Sequence, residues 1–116
     1  MRGSAAVLLG LALASSACAA EKTFTLVTVE GRAPPAQQVL RVTQGDAVTI
    51  NLTSNRTGEI HLHAYQKVAK VAPGKGATWK LTAQAPGRYR LEWHGAGDSL
   101  SEHANPPLST LEVMPK

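Results

Sequence analysis

The four histidines of this chain all fall in its second half, at His61, His63, His94 and His103. His61 and His63 are two apart in a stretch of alternating apolar and polar residues. On a strand they would point to one face, about 6.6 Å apart along the backbone. Two imidazoles at that spacing chelate a divalent ion, and imidazole suits copper and zinc alike. His94 and His103 are the further imidazoles that such a site needs. Glu92, Asp98 and Glu102 offer oxygen, either as ligands or as hydrogen-bond partners that orient the rings. The candidate metal set is therefore His61, His63, His94 and His103, for copper with zinc as the alternative. The plainer alternative is a row of solvated cross-strand partners that Tyr65 continues. Met114 reads as a strand-end residue and not as an axial ligand.

Other chemistries lack their residues. The one cysteine, Cys18, rules out an intramolecular disulfide and a cysteine-based zinc site. A cupin-like use of His-x-His would want a Glu shortly after His63, where Gln66, Lys67 and Val68 stand. A copper-zinc superoxide dismutase would need a longer chain and a disulfide. No Gly-x-Ser-x-Gly elbow occurs, and Ser99 and Ser101 have no triad around them. Gly95-Ala96-Gly97-Asp98 opens no helix and makes no phosphate cradle. The net charge is +4, with Lys22, Arg41, Arg56, Lys67, Lys80 and Arg88 scattered along the chain, so no nucleic-acid surface is expected. No catalytic residues, and no enzyme, are expected.

The 116 residues allow one small domain. Met1-Arg2 gives a positive start, Ala5 to Ala14 is an apolar and small-residue run, and Ser15-Ser16-Ala17-Cys18 closes it. The run is well short of the roughly 20 residues that a membrane-spanning helix needs, so residues 1–17 read as an export signal. Two processing outcomes stay open: ordinary cleavage near Ala19, or lipidation of Cys18, since the segment is similar to a bacterial lipobox. In both, the domain, residues 21–116, works in the periplasm or cell envelope. Its only membrane contact would be a lipid anchor at Cys18.

From Glu21 onward the apolar spacing is that of strands bounded by Gly, Pro and Asn. Seven are expected: Phe24 to Val29, Val39 to Val42, Val48 to Thr53, Ile60 to Tyr65, Ala77 to Thr82, Arg88 to His94 and Leu108 to Val113. Trp79, Tyr89 and Trp93 fall on inward phases and read as core. About seven strands in a domain of this size make an all-β antiparallel sandwich.

Over residues 38 to 114 the order of signals resembles the cupredoxin family, a Greek-key sandwich. Gly45-Asp46-Ala47-Val48-Thr49-Ile50 is similar to the start of that family's third strand. Gly58-Glu59-Ile60-His61 is similar to the approach to its first copper-ligand His, Pro73-Gly74 to the following turn, and Pro86-Gly87-Arg88-Tyr89 to the strand that leads into its copper loop. Blue-copper members carry a Cys six residues after that Gly. This chain has Trp93 there, then His94. The resemblance implies His61 at the ligand end of the sandwich, with His94 and His103 in the loop at the same pole. Without a thiolate, blue-copper electron transfer is excluded. The expected function is a cell-envelope cupredoxin-like domain that binds copper or a similar ion for handling, sensing or delivery. The alternative is a metal-free module that binds an envelope protein partner.

Overall fold

The computed structural model describes Gly3, residues 20–97 and residues 107–116. The expected export signal apart from Gly3, together with Cys18, Asp98, Glu102 and His103, lies outside these residues. Eight strands are present among them: β1 (Glu21–Thr28), β2 (Val39–Thr43), β3 (Ala47–Ser54), β4 (Gly58–Leu62), β5 (Lys67–Val71), β6 (Ala77–Thr82), β7 (Gly87–Gly95) and β8 (Ser109–Met114). They form a three-stranded sheet, β1-β3-β6, and a five-stranded sheet, β2-β8-β7-β4-β5. The all-β sandwich is as the sequence implies. Pairing direction is not uniform: β1 runs parallel to β3 and β2 parallel to β8, while the other pairs are antiparallel. Each parallel pair is joined by a crossover through other strands, as parallel neighbours require.

Alternation builds the core. Leu26, Val48, Ile50, Leu52 and Trp79 face inward from the small sheet. Leu40, Val42, Ile60, Leu62, Leu91, Trp93, Leu111 and Val113 meet them from the large one, all buried. Tyr89 packs against this cluster from the side and donates its hydroxyl to the Ala85 carbonyl at 2.7 Å. The Gly-Asp turn between β2 and β3 is closed by Asp46, whose carboxylate accepts the Thr43 amide at 2.8 Å. No helix among the described residues is long and apolar enough to cross a membrane.

Trp93, in β7, is seated against two glycines. A Cβ at Gly31 would stand 2.7 Å from the indole Cδ1, and one at Gly58 would stand 2.6 Å from Cη2. Both distances are below any real contact, so the indole lies directly on the backbone there. Gly31 also takes φ +73°, where a side chain would be strained.

The outer face of the large sheet is charged. Glu112 is buried between two arginines on neighbouring strands. Arg41 donates from Nε at 2.9 Å, and Arg88 Nη2 lies 3.1 Å from the second oxygen, near enough for an ion pair but off-angle for a hydrogen bond. The Arg41 hydrogen bond holds the Glu112 carboxyl below its ordinary value of 4.5. A carboxyl lowered by folding stabilises the fold above its unfolded pKa, and that stabilisation is lost as the pH falls through the folded one. The melting temperature should therefore decline below about pH 4.5 through this group. In Glu112→Gln it should start lower at pH 7 and fall less steeply in acid. Parallel acid limbs in thermal melts would assign that decline to other carboxyls.

Candidate metal centre

β4 and β7 pair antiparallel, with Glu59 opposite His94, Ile60 opposite Trp93 and His61 opposite Glu92. Ile60, Leu62, Leu91 and Trp93 are buried in the core, so the residues between them point the other way, through the outer face of the large sheet. His61 and His94 meet there diagonally, with ring centroids 4.5 Å apart. β4 ends at Leu62, and His63 opens a single 3-10 turn, His63–Tyr65, closed by Gln66 at φ 54°. The turn swings the His63 ring edge-on to His61, at 5.2 Å between centroids. Each of the three imidazoles then offers one nitrogen within 4.8 Å of the others.

Two carboxylates hold the rings. Glu59 Oε2 lies 3.2 Å from His61 Nε2. Glu92 Oε2 lies 3.4 Å from His63 Nε2 and 3.8 Å from His94 Nε2. A carboxylate only accepts, so the neutral His61 ring carries its proton on Nε2 and keeps a lone pair on Nδ1. That Nδ1 is buried and has no hydrogen-bond partner among the described residues. An unpaired buried acceptor costs about 1–3 kcal/mol. The ring stands beside two further imidazoles, and the three together fit a divalent ion.

The structure thus brings together three of the four candidate histidines, with Glu92 among them, while His103 lies outside the described residues. It alters one expectation. His63 has left the strand, so its approach to His61 comes from the 3-10 turn and not from strand alternation. The cluster sits on the outer face of the sheet, at β4 and β7. Glu59 is a site residue that the sequence reading passed over. Its signal was its place two residues before His61, hence on the same face.

The eight strands and their order in two sheets define a cupredoxin fold that carries a three-histidine cluster. Solved structures agree on the fold. The copper-containing nitrite reductase of Thermus scotoductus SA-01 is similar at TM-score 0.63 and 24% identity, over 84% of this chain and 28% of that one. A blue copper oxidase from Nitrosomonas europaea is similar at TM-score 0.62 and 20% identity, over 83% of this chain and 39% of that one. A copper binding protein in its apo form is similar at TM-score 0.56 and 12% identity, over 78% of this chain and 85% of that one. The chain spans well under half the length of the reductase and of the oxidase. No protein-family model matches it, and no curated protein does.

Proposed function

We propose that this chain is an exported cell-envelope domain that binds copper through His61, His63 and His94, and that it handles or delivers the ion without catalysing a reaction. The observation that carries this reading is the convergence of three imidazoles within 4.8 Å, one of them with an unpartnered buried Nδ1. Three protein ligands leave a coordination position open, as in sites that exchange a ligand. His63 is 68% exposed, so a bound ion would stay reachable from solvent and by a partner. Copper is favoured over zinc because Cu²⁺ binds a given nitrogen site more tightly. The copper proteins that share the fold support the same choice.

Calorimetric titration of the purified domain with Cu²⁺ and Zn²⁺ tests this reading. One Cu²⁺ should bind per chain, with Zn²⁺ weaker, and binding should be lost in His61→Ala/His63→Ala. The loaded protein should lack the intense thiolate-to-copper absorption of blue sites, since the chain's one cysteine is Cys18. No saturable binding would leave the metal-free module as the better reading.

Export with lipidation at Cys18 is part of the same proposal, supported by the apolar run that precedes it. Intact-mass measurement on protein from its native host should show an acylated Cys18 at the N-terminus. An unmodified N-terminus at Ala20 or Glu21 would mean ordinary secretion.

A further inference from the structure

Beside the histidines lies a cleft of about 450 Å³ that their chemistry does not use. It opens where the end of β5, the start of β4 and the end of β7 come together. Gly58, Val71 and Gly95 are buried residues that line it, with Ala72 and Ala96 beside them. Lys70 and the following turn residue Lys75 line it from the β5 side, and His94 with Glu59 from the other. Both lysines are exposed, and neither ammonium pairs with a carboxylate among the described residues. Glu59, the one acidic side chain in the lining, is engaged with His61. The cleft therefore combines an apolar interior with two lysines and one carboxylate at its edge, Glu59 standing opposite Lys70 across β4 and β5. Pockets of this volume, mostly apolar with a few convergent charges, are the usual form of small-molecule sites.

We propose that this cleft binds a small organic anion, a carboxylate with a compact apolar body, held by Lys70 and Lys75 and packed beside His94. The apolar part fits against Gly58, Val71 and Gly95. The carboxylate fits the lysines, whose compact ammonium groups attract charge without demanding the planar geometry of an arginine pair. A site of this kind stands apart from the copper reading, because nothing in it needs an ion. The two share only His94 and Glu59 as border residues, so an anion in the cleft and an ion on the histidines would alter each other's affinity by the same factor.

The test uses chelator-treated protein and benzoate as the probe, read by amide chemical shifts in a titration. Benzoate should saturate, with its shifts centred on Gly58, Val71, Ala72 and Gly95. Benzyl alcohol, which has the ring without the charge, should bind at least tenfold more weakly. So should inorganic phosphate, which has charge without an apolar body. Lys70→Ala/Lys75→Ala should weaken benzoate at least tenfold. His63→Ala, which leaves the Glu59–His61 contact in place, should leave benzoate binding within twofold while weakening Cu²⁺ at least 100-fold, which separates the two sites. If Cu²⁺ fails to bind while benzoate saturates, the copper reading falls and this one stands. Non-saturating shifts, equal affinity for benzyl alcohol, or no effect of the lysine variant would each overturn the proposal.

Discussion

Trp93→Ala should lower the unfolding free energy by about 3–5 kcal/mol, the range for removing a large buried aromatic side chain. The indole is 8% exposed and rests on the backbone of Gly31 and Gly58, which have no side chains to fill the void. Trp93→Phe should cost much less. It keeps an apolar ring, and it removes the indole Nε1, which is buried without a partner among the described residues. The same seat fixes the register that sets Glu59 against His94. Trp93→Ala should therefore also weaken Cu²⁺ binding, with all three histidines in place. Denaturant titration of the three proteins, with the slope monitored for a change in the unfolded state, gives the ordering. A loss in Trp93→Ala below about 1 kcal/mol would mean that this end of the core relaxes freely, against the glycine contacts.

Position 93 also shows what could be read before the structure and what could not. Its inward phase was plain from Tyr89, Leu91 and Trp93, and the structure buries it. The same alternation puts His94 and His61 on the opposite face of the sheet from position 93, so a cysteine there would face the core, with the sheet between it and the histidines. The departure from blue copper is thus wider than one substituted ligand. The place of His63 could not be read. Leu62-His63-Ala64-Tyr65 continues the apolar-polar alternation of β4, and nothing in those residue types announces a 3-10 turn. The turn depends on Gln66 taking a left-handed conformation, which its residue type does not signal.

The eighth strand was hidden by its own composition. In Lys67–Val71, Ala69 and Val71 face inward, but Val68 faces out at 56% exposure, opposite His61. With apolar residues on both phases, the period of two is blurred. Parallel pairing was equally silent, because alternation sets which face a residue occupies and says nothing of the direction of the neighbouring strand. Only tertiary packing decides that.

Removing any one imidazole should reduce Cu²⁺ affinity by at least about 100-fold, or roughly 2.7 kcal/mol. The losses should rank by how firmly each ring is held. His94 is 9% exposed and His61 16%, both wedged between β4 and β7, so water cannot readily take their place. His63, on its turn and largely exposed, should cost the least of the three. His61→Ala/His94→Ala should lose little beyond the worse single variant, since residues that act on one ion couple strongly. Glu59→Ala should cost about 10- to 100-fold, as removal of a carboxylate that orients a ligating ring usually does. It should do so with the three imidazoles intact and with little change in melting temperature. Copper titrations across this set, with electron paramagnetic resonance counting nitrogen ligands, give each number. Additive losses below tenfold, with Glu59→Ala silent, would show that copper meets these histidines separately and that they form no common centre.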